Sequence, residues 1–177
     1  GLMNMQTGSS DTEFGANYSV ATVQKQVFSR SNINFFVVNK EVTADYVEKD
    51  TVLAKYNRVA GVDFNLASAD NRWTGKMFYH QVFSPNNRKQ DFTTFGEVSY
   101  KTQQFSAAWS YAYVGSGYDA EVGFVLRKDY HQINPSVGYR FYPASNSIAN
   151  HGFGLELNNF YDSDFNLTDR ELDIEYS

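Results

Sequence analysis

Apolar and polar residues alternate with a period of two along nearly the whole chain, in runs longer than most soluble sheets use. In GYDAEVGFVLRKDY, Gly117 to Tyr130, the residues Tyr118, Ala120, Val122, Phe124 and Leu126 share one parity, while Asp119, Glu121, Arg127 and Asp129 share the other. Successive strand side chains point to opposite faces, so such a run makes a ribbon with one apolar and one charged side. Runs of this kind lie near Gly1 to Thr7, Asn17 to Phe28, Asn32 to Lys40, Tyr56 to Ala67, Arg72 to Ser84, 92–101, 104–114, 118–128, 132–142, 150–161 and 165–176. The pattern predicts an all-β fold, an antiparallel up-and-down meander of about eleven long strands, with no helix. Most runs are about twice the usual globular strand length and close to the roughly 9–11 residues of a tilted membrane strand.

Hairpin parity tests this reading, because residues opposite one another in an antiparallel pair share a face. A two-residue turn at Ala69 and Asp70 sets Leu66 against Trp73 and Val62 against Met77, with Asp63 opposite Lys76 on the polar side. A turn at Thr102 and Gln103 sets Tyr100 against Phe105 and Gly96 against Trp109. A turn at Ser116 and Gly117 sets Trp109 against Phe124 and Tyr111 against Val122. One near Asp129 and Tyr130 then pairs Val122 with Val137, Phe124 with Pro135 and Asp119 with Arg140. A slip of two residues would keep the faces and change the partners.

Connection lengths alternate as well. Links near Ser29 to Ser31, Ser68 to Asn71, Thr102 to Gln103, Asp129 to His131 and Asp162 to Asp164 are tight. Those at the opposite end, Gly8 to Ala16, Glu41 to Lys55, Pro85 to Gln90 and Pro143 to Ala149, are longer, with Gly115 to Gly117 the short exception. Short turns at one end and long loops at the other characterise outer-membrane barrels. The chain therefore reads as one segment, 1–177, of a transmembrane β-barrel. Its expected lumen-lining polar residues are Asp63, Lys76, Glu97, Asp119, Glu121, Arg127 and Arg140. Its expected lipid-facing residues are Trp73, Trp109, Tyr111, Val122 and Phe124. Tyr and Trp near strand ends, among them Tyr79, Tyr100, Tyr113, Tyr118, Tyr139 and Tyr142, suit interfacial girdles.

Composition narrows the alternatives. Mean hydropathy is -0.50 and no stretch approaches the roughly 18 apolar residues of a membrane helix, whereas a barrel's alternation averages to a polar-looking sequence. A net charge of -5 without a Lys/Arg cluster argues against nucleic acid. With no cysteine, disulfides and thiolate metal sites are excluded. His80, His131 and His151 stand on different strands or turns, and no metal or cofactor is expected. Asp162 to Asp173, DSDFNLTDRELD, spaces its oxygens like a calcium loop but carries Leu167 where the sharp turn needs glycine. Asp119, Glu121 and Asp63 could be the paired carboxylates of a glycosidase, since alternating positions on one strand lie about 6–7 Å apart. Ion pairs with Arg127, Arg140 and Lys76 on the same face explain these acids better, so the chain reads as non-enzymatic.

The stretches Tyr56 to Pro85 (YNRVAGVDFNLASADNRWTGKMFYHQVFSP), Gln26 to Lys40 (QVFSRSNINFFVVNK) and Ala120 to Pro143 (AEVGFVLRKDYHQINPSVGYRFYP) carry a family resemblance. The chain resembles a poorly characterised family of large Gram-negative cell-envelope proteins in which a family-9-like carbohydrate-binding domain precedes a long β-barrel region. That resemblance implies an internal barrel segment in the outer membrane and a surface setting concerned with glycans, with no catalytic motif. The expected partners are outer-membrane lipid, glycans, and further strands before Gly1 and after Ser177 or from a neighbouring chain, since single-chain bacterial barrels close with an even strand count. The alternative is a soluble β-sandwich or barrel that binds carbohydrate through Trp73, Trp109 and Tyr111.

Overall fold

A computed structural model describes residues 1–9, 14–43, 55–85, 89–123, 125–144 and 149–177. These form ten strands: β1 (Leu2–Gln6), β2 (Ala16–Val27), β3 (Ser31–Val42), β4 (Tyr56–Ala67), β5 (Trp73–Phe83), β6 (Phe92–Lys101), β7 (Phe105–Val114), β8 (Tyr130–Phe141), β9 (His151–Tyr161) and β10 (Leu167–Tyr176). They make one open sheet in sequence order, every neighbouring pair antiparallel. Ten of the expected strands are present within a few residues of the boundaries read from alternation.

The exception is the expected strand at 118–128. β7 pairs directly with β8, so Trp109 meets Pro135 and Tyr111 meets Ile133, rather than Phe124 and Val122. Val137 lies opposite Ala107 and Leu155 instead of Val122, and Arg140 lies opposite Gly152 instead of Asp119. Residues 115–129 are a connection with no strand pairing among its described residues. Loss of one strand reverses the parity of everything after it. The connection 142–150 therefore falls at the end with the tight turns, and the tight turn 162–166 falls among the longer loops.

Two other hairpins differ in register by two residues, leaving faces intact. Phe64, not Val62, opposes Met77, and Asn65, not Asp63, opposes Lys76. The cause is a longer turn: the Asp70 carboxylate accepts from the Ser68 hydroxyl (2.6 Å) and the Arg72 N–H (3.1 Å), while Asn71 takes a φ of 58°. Asp and Asn stabilise such turns by bonding backbone two residues on and tolerating the left-handed region. At the next hairpin the Thr102 N–H bonds the Phe105 carbonyl, which moves the reversal to Gln103 and Gln104 and sets Tyr111 opposite Gly96.

The two faces of the sheet are chemically distinct. One carries Ile33, Phe35, Val37, Val62, Phe64, Met77, Val98, Trp109, Ile133, Val137 and Leu155, most of them well exposed. Charged side chains on the described part of this face, Lys25, Glu41, Arg58 and Arg170, stand toward strand ends. Aromatic rings line both margins. Near the tight-turn end, Trp73 packs on Tyr100, Tyr100 on Phe105 and Phe141 on His151 and Phe153. Near the other, contacts run from Tyr79 through Phe92, Tyr113 and His131 to Phe165, with centroids 4.0–5.4 Å apart. From Phe105 to Tyr113 is roughly 26 Å along β7 at ~3.3 Å per residue.

Candidate functional site

The opposite face is polar and holds the side chains that could do chemistry. Asp63, Lys76, Glu97 and Arg140 all lie on it, from β4, β5, β6 and β8, and Lys76 and Glu97 are direct cross-strand neighbours of opposite charge. Asp119, Glu121 and Arg127 reach the same side by another route, on the connection 115–129 folded across this face.

That connection is anchored at several points. It begins at Gly115, whose backbone packs so closely on the Gln90 carbonyl that no side chain would fit, and the Gly117 N–H donates to the same carbonyl at 3.0 Å. The Tyr118 ring, 7 % exposed, fills a patch of Val59 and Val82 backed by Phe36 and Val38. Burial pushes the Tyr118 hydroxyl above the ordinary phenol value. Asn57 from β4 reads the loop backbone twice, donating to the Asp119 carbonyl (2.8 Å) and accepting from the Glu121 N–H (3.2 Å). Charge completes the docking. Lys40 of β3 meets Glu121 at 2.6 Å, Lys128 meets Asp119 at 2.6 Å, and Arg127 reaches Asp169 of β10 at 3.7 Å. The Arg127 guanidinium also lies over the Tyr130 and Phe160 rings. The loop thus crosses the polar face from β3 to β10 at the end of the long connections.

Of the residues expected on the apolar side, Trp73, Trp109 and Tyr111 are there, on β5 and β7. Val122 is not: it sits half-exposed on the connection, because its segment pairs with no strand. Tyr118 likewise leaves the expected girdle for the buried patch. Phe124 lies outside the described residues.

Alternation did not reveal one grouping. Asp63 bonds His80 at 2.8 Å, accepts from the Asn34 amide at 3.2 Å, and Asn34 in turn accepts from the Thr22 hydroxyl at 2.7 Å. This row crosses β2 to β5 on the polar face. His80 stacks on Phe78 and meets Phe36 edge-on, an approach open only because Gly61 has no Cβ: one would stand 2.5 Å from the His80 ring. The row therefore has a carboxylate beside an imidazole, the arrangement the sequence reading had not expected, and its signal lay in the two-residue slip that moves Asp63 from Lys76 toward His80. No group of three potential metal ligands occurs among the described residues. Toward the tight-turn end the polar face stays open as a concavity of about 440 Å³, floored by Ser106, Ala108, Ser136 and Gly138 beside Arg140 and Glu156.

In the turns, hydrogen bonds hold two carboxyls below the ordinary carboxylate range. Asp162 is held by the Asn166 side chain and N–H, and Asp70 by the Ser68 hydroxyl and the Arg72 N–H. Comparison with known proteins returns no match from any protein-family model, curated protein or solved structure.

Proposed function

We propose that the chain is a non-enzymatic wall segment of a transmembrane β-barrel in the outer membrane of a Gram-negative bacterium, with the apolar face toward lipid and the polar face toward the lumen. The observation that carries this reading is the apolar face itself. Large side chains stand uncovered across it, Trp109 at 47 % and Val137 at 42 % exposure, between two aromatic margins separated by roughly the height of a barrel's lipid band. Water is a poor solvent for so wide an apolar patch, and monomeric soluble proteins rarely expose more than a few hundred Å² in one piece. Hydrocarbon solvates it without penalty.

On this reading the connection 115–129 narrows the lumen at one mouth with a buried aromatic and three ion pairs, and the small-residue concavity is the vestibule of the other. Anchoring, display or passage of a polar solute all suit such a wall. The resemblance to the cell-envelope family adds glycans as the candidate cargo or ligand.

The only two tryptophans, Trp73 and Trp109, both lie on the apolar face, one at the aromatic margin and one midway. In vesicles, lipids brominated deep in the acyl chain should quench Trp109 more than Trp73, read from Trp73→Phe and Trp109→Phe variants. Recovery of the protein in the soluble fraction after carbonate washing of cells, with neither tryptophan quenched, would overturn the proposal. A second reading, a soluble carbohydrate-binding surface, draws on Trp109 and Tyr111, whose rings lie near-parallel, 7° apart, with centroids 6.5 Å apart on the apolar face; exposed aromatic rings are groups on which sugars stack. Saturable quenching of Trp109 by soluble oligosaccharide without lipid would favour it.

A further inference from the structure

We infer that the concavity on the polar face binds a short zwitterionic peptide of two or three residues, with Arg140 holding its carboxylate and Glu156 its ammonium. Calling the concavity a vestibule rests on the barrel reading above, whereas the contacts themselves lie on the polar face whichever medium covers the other.

Over the rest of that face, opposite charges meet. Glu121 has Lys40, Asp119 has Lys128, Asp169 has Arg127, Asp63 has His80, and Glu97 faces Lys76. Around the concavity they stay apart. Glu156 of β9 stands between Ser136 of β8 and Asp173 of β10, so its charged neighbour across the ladder is another acid, a destabilising arrangement. Arg140 of β8 stands beside Gly152, with Gly138 before it on the same face and Gly154 diagonal to it. Neither side chain forms an ion pair or hydrogen bond with a described residue. Both belong to strands paired on each side, β8 between β7 and β9, and β9 between β8 and β10, so these neighbours do not depend on what adjoins the sheet.

The two charges face one hollow from opposite ends. Arg140 lies four positions beyond Ser136, the partner of Glu156, so their levels are roughly 13 Å apart at ~3.3 Å per residue. Side chains leaning inward shorten that gap to what an extended peptide of two or three residues spans at ~3.4 Å each. Between them the floor is low. Gly138 and Gly154 face each other without side chains, and a Cβ on Gly138 would stand 2.8 Å from the Ser106 hydroxyl. The open volume of about 440 Å³ suits a small-molecule site. Ser106 and Ser136 bring hydroxyls that bond no described residue and can pair with the N–H and C=O of a peptide bond. Of the other charged residues around the hollow, Lys101 lies on the β6 flank, and Asp173 and Glu175 on the β10 flank beside Glu156. Small residues only make the room; the separated charges point to what fills it. A lone anion would leave the acids without a partner and a lone cation would leave Arg140 without one, whereas a molecule carrying both charges serves both ends.

Triglycine, N-acetyl-triglycine, triglycine amide and glycine are the probes, titrated calorimetrically into the protein in detergent micelles at low salt. Triglycine should bind saturably, and blocking its ammonium, blocking its carboxylate or shortening it to glycine should each weaken binding roughly fivefold or more. Glu156→Gln should erase the preference over N-acetyl-triglycine and keep the preference over the amide, while Arg140→Gln should do the reverse. The blocked peptides test the unaltered protein, so a variant that fails to fold still leaves the inference open to refutation. No saturable binding of triglycine, equal binding of all four probes, or preferences that survive both substitutions would overturn it. Lipid quenching of Trp109 is read separately, so absence of peptide binding with quenching intact condemns the ligand and spares the wall.

Discussion

The segments 56–67 and 118–128 alternate with equal regularity, yet the first is β4, hydrogen-bonded on both sides, and the second is a connection folded over the sheet. In β4 each side of the backbone meets another strand, β3 or β5. In 118–128 the backbone is served by the Asn57 side chain, while its side chains sort between a buried patch and a ring of charged partners. Alternation reports only that successive residues need different surroundings. Whether the backbone pairs is a separate question, decided by what lies on either side.

Arginine scanning should break the comparison open most sharply. Val137→Arg, mid-strand on the apolar face, should cost about 2–4 kcal/mol in lipid and block assembly, read as loss of heat-modifiable migration on a gel. Val122→Arg, which the alternating pattern treats identically, should stay within about 0.5 kcal/mol, because its side chain is half in solvent. Equal effects would return 118–128 to the sheet.

Next in size, Tyr118→Ala should cost about 3 kcal/mol, at the low end for a large buried aromatic, and should appear as local release. Protease cleavage within 117–128 should rise while hydrogen exchange in β4 and β5 stays slow. The Lys40–Glu121 pair is partly exposed, so a double-mutant cycle with Lys40→Met and Glu121→Gln should give a coupling of about 0.5–1 kcal/mol that fades with salt.

The smallest effect concerns acid. Asp162 is held below its ordinary value of 3.8 in the folded state, so its contribution is present above pH 4 and disappears as the pH falls through the lower folded value. Thermal unfolding between pH 5 and pH 2 should show a shallower acid loss in Asp162→Asn than in the unaltered chain. An identical slope would remove Asp162 from the list of acid-sensitive contacts.

Much of the sheet was legible because side-chain parity survives errors that pairing does not. The two hairpin slips illustrate this: Phe64 and Met77 stay on the apolar face whichever partners they take. Turn length was not legible, since Ser68, Asp70 and Asn71 act together and no single residue announces a longer reversal. The site was legible by residue type but not by contact. The charged residues were found, while the Asp63–His80 bond depends on a register the turn decides. The folded connection did leave a trace. Phe36, Val38, Val59 and Val82 cluster on the face that carries the charged residues, and the Tyr118 ring covers that apolar patch. Reading strands one at a time hides it, because the four residues belong to three strands.

The contacts that seat the connection also impose an order of construction. Lys40 and Glu121 are 81 residues apart, and Asn57 and Asp119 are 62 apart, so these bonds form only after the entropy of closing long loops has been met. Until β7 is laid and the connection after it folds back, the Val59 and Val82 patch lacks the Tyr118 ring that buries it. Covering that patch is thus a late event in the folding of the molecule.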